Sequence, residues 1–299
     1  MELIMKMTKH SVLIPLLIGV LQVACQRSSS IQDKTLPELG FIASMDNDSL
    51  LYASGFKFIG EAVGRTISPR LSQTAFTDNL EKFKKAKTSL YLCNVLFPAG
   101  IKIVGPEVEE ERVLSYLDSV LLRAKQAEVP LIVLGSGGAR RIPEDYSHDM
   151  AKADFITLCR KMAEVAAQRQ IVIAIESLNS TETNFINTLK EATEIVKEVA
   201  HSNFRLNADI YHMMKESESP AHIIEAGDLI VHVEIAEKDK RTVPGVMGDD
   251  FRPYLQALHA IGYYGPIFIE ARIGDAFTEI PRAYTYLEEQ LREAYYQTN

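Results

Sequence analysis

The stretch from Ile171 to Glu182 reads IVIAIESLNSTE, and its apolar run stops at a carboxylate, Glu176. Apolar runs of this length between polar turns are typical of central strands in a parallel sheet that is covered on both faces. Glu176 is therefore expected at the carboxyl end of a buried strand, where α/β sheets place their chemistry. A single glutamate at such a position can equally cap the next helix or pair with a surface lysine, so its meaning depends on the rest of the chain.

The same alternation of apolar runs and helical periodicity extends over most of the chain. Strands are predicted at residues 39–45, 56–61, 90–97, 131–135, 171–176, 204–209, 229–235 and 267–270. Helices are predicted at 78–86, 109–127, 150–168, 186–199, 221–226, 251–261 and 276–294, with a short one within 47–55. Eight strand–helix units in about 260 residues predict an α/β fold, a single-domain (β/α)₈ TIM barrel. A doubly wound sheet is the alternative, because the alternation indicates parallel strands without showing that the sheet closes.

The first residues have the pattern of an export signal. Lys6 and Lys9 precede an apolar core, SVLIPLLIGVLQVA, that ends directly before Cys25. This junction resembles the lipobox of bacterial lipoproteins, although Gln22 replaces the apolar residue usual at its place. We expect a signal peptide at 1–24, a lipidated Cys25, a polar tether at 25–37 and the barrel at 38–299. The protein would then be exported and lipid-anchored in the bacterial cell envelope, with the periplasmic side favoured; cleavage without lipidation and a retained anchor are the alternatives.

Charge and cysteine content exclude some classes of partner and site. The formal net charge is −8, and it becomes −9 once the export signal, with two lysines and one glutamate, is removed. An acidic chain without a basic stripe does not favour nucleic acid as a partner. Cys93 and Cys159 lie in apolar patterns and are predicted to be core thiols, which leaves no basis for a disulfide framework or a cysteine metal site.

Polar residues also end the later predicted strands, and a barrel would bring these ends to one mouth. Carboxylates that crowd together raise one another's pKa unless a cation neutralises them, and a divalent metal does this. Oxygen-rich sites with at most one imidazole suit Mn²⁺, Mg²⁺ or Co²⁺ better than a thiolate-type zinc site does. The candidates are Glu176, Asp209 with His212, His232 with Glu234, and Glu270.

Spacing refines two of these pairs. His232 and Glu234 are two residues apart, so they share one face of the strand, with Glu234 nearer the mouth. A histidine at such a position is more often a satisfied core residue than a ligand. Asp209 and His212 are three apart just past a strand, so only one of them needs to reach a metal and the other is free to hold substrate.

Two predicted loops also carry candidate binding residues. Arg241 lies before Pro244-Gly245, where a guanidinium could bind vicinal oxygens, although the run EKDKR also fits a solvated charged segment. The glycine-rich loop from Gly135 to Arg140 lacks the full dinucleotide-binding spacing, so a nucleotide cofactor is unsupported. That loop fits either a tight turn or an anion- or hydroxyl-binding site.

These motifs together resemble the xylose isomerase-like barrel superfamily, in the sugar isomerase/epimerase branch typified by ketose 3-epimerases and hydroxypyruvate isomerase. The resemblance covers about residues 39–294 and rests on ESLNSTETNFINT, DIYHM, AEKDKRTVPG and GPIFIEAR. It implies that Glu176, Asp209 and Glu270 bind a metal. It further implies that Glu182 and His212 bind substrate, and that Arg241 is the loop arginine.

The chain departs from this family pattern at two places. His-x-His is usual on the seventh strand, whereas this chain has His232-Val233-Glu234, so Glu234 occupies the ligand place. Glu234 could serve as the fourth ligand, His232 could reach the metal instead, or the site could be impaired. The loop before Pro244 is one residue longer than usual, so Lys240 and Arg241 are both candidates for the arginine's role.

The resemblance implies a metal-dependent isomerase or epimerase of a sugar or sugar derivative. A metal, Mn²⁺ foremost with Mg²⁺ or Co²⁺ as alternatives, would be held by Glu176, Asp209, Glu234 and Glu270. Glu176 and Glu270 would be the acid–base pair that forms an enediolate. The expected partner is a small carbohydrate, with membrane contact through the lipid anchor only and a homo-oligomer left open. The alternatives are a lyase that eliminates from keto-sugars or keto-glycosides, and a non-catalytic sugar-binding lipoprotein.

Overall fold

The strands pair in chain order around a closed ring. The computed structural model describes residues 36–296, and within them β1 pairs in parallel with both β2 and β8. Closure confirms the (β/α)₈ TIM barrel and rules out the doubly wound sheet. The strands are β1 Leu39–Ile42, β2 Phe58–Ala62, β3 Ser89–Asn94, β4 Leu131–Leu134, β5 Val172–Glu176, β6 Phe204–Asp209, β7 Ile230–Ile235 and β8 Ile267–Ile269.

Helices follow the strands and cover the outside of the barrel. They are α1 Asp48–Ser54, α2 Val63–Thr66, α3 Gln73–Lys85, α4 Glu110–Gln126, α5 Gly137–Arg140, α6 His148–Arg169, α7 Leu189–Val199, α8 Ile210–Lys215, α9 Ala221–Ala226, α10 Arg252–Ala260 and α11 Ala276–Tyr296. The short helices α2, α5 and α8 directly follow β2, β4 and β6 and were not predicted. Across residues 36–296, no helix combines the length and apolarity needed to cross a membrane.

An apolar layer fills the lower part of the barrel. Phe268 is fully buried there and packs with Leu92, Leu131, Val133 and Ala174. A side chain on Gly40 would place its Cβ 2.5 Å from the Phe268 ring, so this glycine makes room for the phenylalanine. The polar residues at the strand ends therefore lie above a layer of buried apolar side chains.

Several predicted boundaries were wrong, each for a local reason. β1 ends at Ile42, not at residue 45, because Ser44 caps a 3₁₀ turn at Met45–Asn47. Helix α3 begins five residues earlier than predicted, because the Ser72 hydroxyl accepts the Ala75 N–H at 3.1 Å.

The start of α7 and the end of β8 also differ from the prediction. Helix α7 begins at Leu189, not at residue 186, because Thr188 and Glu191 form a capping box and Ile186 has a φ of +60°. Strand β8 ends at Ile269, which leaves Glu270 just beyond the strand.

The two cysteines predicted to be core thiols are free and fully buried. The predicted signal peptide at 1–24, the lipidated Cys25 and almost all of the tether at 25–37 lie outside the described residues.

Candidate active site

Four carboxylates from four different strand ends meet at the mouth of the barrel. Glu176 ends β5, Asp209 ends β6, Glu234 lies on β7 and Glu270 follows β8. Their register brings them together, since the Cα of Asp209 is the partner of that of Glu234. One oxygen from each carboxylate lies within 4.8 Å of the other three. The structure thus places all four residues that the sequence nominated as metal ligands in one cluster, which we call the carboxylate cluster.

Burial and mutual repulsion raise the pKa of three of these carboxyls. Burial is the largest cause for Glu176, whose pKa is raised further by the charge of Glu234. The pKa of Glu234 is raised by burial and then by Glu270 and Asp209. Burial also raises the pKa of Glu270, although Arg241 opposes this. The cluster is therefore a group of acids that a cation would stabilise in the ionised form.

Arg241 supplies one positive charge to the cluster. Its Nη2 donates to Glu270 and lies 3.5 Å from Asp209 Oδ2, and its Nε donates to the Glu270 carbonyl at 3.2 Å. The guanidinium stacks on the Tyr211 ring at 4.6 Å, and its pKa is raised because these carboxylates outweigh the effect of burial. Lys240 is exposed, so Arg241 is the one of the two candidates that enters the site.

A buried carboxylate holds the loop that carries Arg241. Glu237 is fully buried and accepts the backbone N–H groups of Gly245, Met247 and Gly248 at 2.8, 2.6 and 2.8 Å. The Thr242 hydroxyl also donates to Glu237, at 2.7 Å. These hydrogen bonds to a buried carboxylate hold the loop in place and so fix the position of Arg241.

His212 faces the cluster with its Nε2. The backbone N–H of Asn179 donates to His212 Nδ1 at 3.0 Å, so the ring proton lies on Nε2. Nε2 is 3.4 Å from Glu176 Oε1 and 3.5 Å from Asp209 Oδ2. Burial lowers the pKa of His212, but these two carboxylates outweigh that effect and raise it.

Asn179 also links the histidine to Glu182. The Asn179 side-chain amide donates to Glu182 Oε1 at 3.0 Å, and Arg241 Nη1 lies 3.5 Å from the same oxygen. Hydrogen bonds and an ion pair therefore connect the three residues nominated for substrate binding, Glu182, His212 and Arg241, next to the carboxylate cluster.

His232 lies beneath Glu234 and outside the carboxylate cluster. Its Nε2 is 3.1 Å from Glu234 Oε1, which confirms that the two share one face of β7. Asn207 donates to the other oxygen, Glu234 Oε2, at 2.5 Å. Burial lowers the pKa of His232 to about 3, so the ring is neutral at pH 7, and either its Nε2 or the Glu234 carboxyl can be the donor of this hydrogen bond. Glu234, and not His232, is the residue of this strand that joins the cluster.

Sequence reasoning did not foresee the supporting roles of Asn94, Gly135 and Arg140. Asn94, at the end of β3, donates to Glu270 Oε1 at 2.6 Å. A Cβ on Gly135 would lie 2.3 Å from Glu176 Oε2, so only glycine leaves space for that carboxylate. Arg140 is fully buried and donates to the carbonyl oxygens of Leu134 and Glu176 at 3.3 and 2.6 Å.

The glycine-rich loop is thus an internal brace. Burial lowers the pKa of Arg140 to about 10, and its η nitrogens are aimed at backbone carbonyls. The sequence singled out this loop but gave no signal for a buried arginine, because a charged residue after glycines is usually exposed.

A cavity of about 390 Å³ opens above the cluster. Glu182, Tyr211, Arg241 and Glu270 line its polar side. The rest of the lining consists of one amide, two further arginines and several small or apolar residues: Asn94, Arg65, Arg272, Ile42, Ala43, Ala62, Val95 and Ala271. The cavity is large enough for a monosaccharide-sized ligand next to the carboxylates.

The cluster fits a divalent cation. Within residues 36–296, Asp209 Oδ2 is buried and accepts no hydrogen bond, since Arg241 Nη2 and His212 Nε2 each lie 3.5 Å away, so this oxygen is available to a cation. The four carboxylates are all oxygen donors, which suits Mn²⁺, Mg²⁺ or Co²⁺. Arg241 alone does not balance four carboxylates.

Comparison with known sequences gives one family over most of the chain. A profile of the family described as xylose isomerase-like TIM barrel matches residues 50–293. L-ribulose 3-epimerase of Methylomonas sp. is 33% identical over 121 residues, which is 40% of this chain and 42% of that protein. D-psicose 3-epimerase of Ruminiclostridium cellulolyticum is 31% identical over 172 residues, 55% of this chain and 57% of that protein. In both cases the match spans less than two thirds of the relative's length.

Solved structures with the same fold cover more of the chain at lower identity. A 3-keto-D-glucoside 4-epimerase from E. coli superposes with a TM-score of 0.72 at 20% identity, over 85% of this chain and 99% of that one. A D-psicose 3-epimerase from Clostridium cellulolyticum, solved with D-tagatose, gives 0.69 at 20% identity over 86% and 95%. At this identity the likeness concerns the fold.

Proposed function

The chain belongs to the xylose isomerase-like TIM barrel family, and we propose that it is a metal-dependent isomerase or epimerase of a sugar or sugar derivative. The carboxylate cluster carries this proposal, because four acids from four strands converge within 4.8 Å beside a sugar-sized cavity. The names of its relatives, sugar epimerases acting at carbon 3 or carbon 4, support the same reaction class.

We infer that Glu176, Asp209, Glu234 and Glu270 would hold the ion. Mn²⁺ is the first candidate, with Mg²⁺ and Co²⁺ as alternatives. When bound, the ion would polarise a substrate carbonyl and neutralise the carboxylates. Two features of this chain support the assignment: Asp209 Oδ2 accepts no hydrogen bond from residues 36–296, and Asn207 and His232 hold the Glu234 carboxylate.

Glu176 and Glu270 would be the acid–base pair. One takes the proton from the carbon next to the carbonyl, leaving an enediolate, and the other returns a proton to the neighbouring position or to the other face. Burial raises the pKa of both carboxyls in the metal-free protein, and a bound cation would favour the ionised form that can accept a proton. Asn94 and Arg241 hold Glu270, and Gly135 leaves the space that Glu176 occupies.

Glu182, His212 and Arg241 would orient the substrate hydroxyls. Glu182 and Arg241 line the cavity, and His212 directs an N–H from its Nε2 toward the cluster. Such positioning restricts the substrate to reactive orientations, which is a large part of catalysis in a preformed site.

Hydrogen exchange tests this function directly. Metal-free protein is incubated in deuterated buffer with a panel of ketoses and keto-glycosides, before and after Mn²⁺ is restored, and carbon-bound deuterium is measured by NMR. We expect deuterium uptake only after Mn²⁺ is added. Exchange that needs no metal would contradict the metal dependence, and absence of exchange with every sugar would contradict the enzyme.

Elimination is the second candidate reaction. The chain is 33% identical over 115 residues to 3-dehydro-D-guloside 4-epimerase of E. coli, an enzyme whose name describes a keto-glycoside. An enolate beside a glycosidic oxygen can expel that oxygen, so a keto-glycoside would give an unsaturated product in a lyase and a saturated one in an epimerase. The NMR spectra of the same incubations distinguish the two. Sugar binding without either product would instead favour a binding protein.

We also propose export to the bacterial cell envelope with a lipid on Cys25. The apolar core that ends directly before Cys25 supports this proposal. Growth with a labelled fatty acid should label the wild-type protein and not Cys25→Ser. Label retained in that variant would contradict the anchor.

A further inference from the structure

One wall of the cavity carries two arginines that do not contact the carboxylate cluster. Arg65 lies on α2 after β2, and Arg272 follows β8. β8, β1 and β2 are neighbours in the barrel, so this wall is continuous. Three alanines near the ends of β1, β2 and β8 line the cavity beside these arginines: Ala43, Ala62 and Ala271. The wall therefore offers two guanidinium groups and little side-chain bulk.

Both guanidinium groups keep free N–H donors. Among residues 36–296, Arg65 pairs through its Nε alone, 2.7 Å from Glu61 Oε1, and its side chain is 66% exposed. The Arg272 backbone N–H donates to the Arg241 carbonyl at 2.8 Å, but its side chain makes no ion pair with any acid of residues 36–296. Arg241 differs, because Glu270, Asp209 and Glu182 already surround it.

Several strand ends contribute to the cavity lining. Glu182 and Tyr211 come from the loops after β5 and β6, and Arg65 and Arg272 come from the segments after β2 and β8. The charge of Arg272 reaches the Tyr211 hydroxyl, where it opposes the rise in pKa that burial causes. A negatively charged group on the substrate would be repelled by the carboxylate cluster and attracted to these arginines.

We propose that the substrate is a sugar derivative with an oxyanion, a carboxylate or a phosphate, bound by Arg65 and Arg272. This inference rests on the proposed function for the site and adds the charge of its substrate. The planar fork of a guanidinium matches carboxylate and phosphate oxygens in a bidentate way. Because the arginines are exposed, the attraction is screened and weakens as salt concentration rises.

Three sugars with the same carbon skeleton test the inference on Mn²⁺-loaded full-length protein. D-fructose is neutral at carbon 6, D-fructuronate has a carboxylate there and D-fructose 6-phosphate has a phosphate. The measured quantity is kcat/KM for deuterium exchange of each anionic sugar divided by kcat/KM for D-fructose. This ratio should exceed about 10 for one of the two anionic sugars, and that result also identifies the preferred anion. In Arg272→Gln and Arg65→Gln this ratio should fall about tenfold. Arg292→Gln, on the far end of α11 and paired with Glu288, is the control and should keep the wild-type ratio.

Two outcomes would overturn the inference. One is a ratio of 1 or less for both anions, and the other is an equal loss for all three sugars in the arginine variants. Failure of the proposed function is distinguishable, because no sugar would then exchange deuterium. In that case the affinities of the three sugars are compared by calorimetry. The inference then requires that an anionic sugar binds more tightly than D-fructose to the wild type and that this preference is lost in Arg272→Gln.

Discussion

The two halves of the barrel have the same architecture but different chemistry at their strand ends. Glu176, Asp209, Glu234 and Glu270 lie at or next to the ends of β5 to β8 and share one cluster. The first four strands contribute one buried carboxylate, Glu61 on β2, among the strand residues described. Glu61 has local partners, since Met45 N–H donates to it at 3.2 Å and Arg65 lies 2.7 Å away. Burial raises the pKa of Glu61 as it does that of Glu176. The two halves differ because Glu61 has its own basic partner, whereas Glu176 lies among other carboxylates.

In the proposed function the second half of the barrel holds the reacting groups, and residues of the first half support them and help to line the cavity. Asn94 from β3 holds Glu270, and Gly135 after β4 leaves space for Glu176. Matched substitutions in the two halves can therefore test the division.

The largest expected difference is between Glu176→Gln and Glu61→Gln. Glutamine keeps the shape of the side chain but cannot take up a proton, so Glu176→Gln should lower kcat for deuterium exchange by about 10³-fold or more. Glu61→Gln should lower it less than about tenfold, because Glu61 lies outside the cluster. Both variants are measured with saturating Mn²⁺. Equal losses in the two variants would contradict the division between the halves.

Glu234→Gln should change stability in opposite directions with and without metal. In the metal-free protein the substitution removes one of several buried, mutually repelling carboxylates and should stabilise by about 1–2 kcal/mol. With Mn²⁺ at a thousandfold excess over its Kd, the wild type should gain about 4 kcal/mol, and the variant should lose most of this gain.

Denaturant unfolding of both proteins at several Mn²⁺ concentrations measures these two effects. Glu61→Gln is the control from the other half of the barrel, and its response to Mn²⁺ should equal that of the wild type. An unchanged Mn²⁺ response in Glu234→Gln would show that Glu234 is not a ligand.

Gly135→Ala should disturb catalysis through the position of Glu176. The added Cβ would lie 2.3 Å from Glu176 Oε2, so the carboxylate must move, and a displacement of about 1 Å can cost about 10²-fold in rate. Gly64→Ala, on α2, is the matched control, because its Cβ would meet nothing within 4 Å. Exchange rates and circular dichroism of the two variants separate displacement of Glu176 from misfolding. A wild-type rate in Gly135→Ala would show that this space is not required.

The sequence predicted the barrel and the four carboxylates for a physical reason. Each strand is a local apolar run, and a carboxylate at its end, such as Glu176, is visible without knowledge of any other strand. The supports of the site depend on contacts between strands. Asn207 reaches Glu234 only because β6 pairs with β7 in this register, and Asn94 reaches Glu270 across the closed ring.

The loops were harder to predict for a related reason. Arg140 is buried because three carbonyl oxygens converge on it from different segments, a pattern with no local signal. Arg241 could not be distinguished from Lys240 until the loop was seen to fold around Glu237. Short-range patterns thus located the four carboxylates, whereas the geometry that holds them required the closed fold.

The smallest expected effect is the pH dependence of stability at Glu61. Its pKa in the folded protein is raised from 4.5 by burial, which outweighs the opposing effects of Met45 and Arg65. A raised folded pKa means that the folded state binds the proton more tightly than the unfolded chain does. The contribution of Glu61 to stability is therefore complete below pH 4.5 and is lost as the pH rises through the raised value.

The free energy of unfolding of the wild type, relative to Glu61→Gln, should fall as the pH is raised from 4 to 7. Urea unfolding of both proteins across this range measures the difference, in which the titration of the carboxylate cluster cancels because both proteins contain it. A difference that rises with pH would mean that Arg65 and Met45 compensate the charge more strongly than burial opposes it.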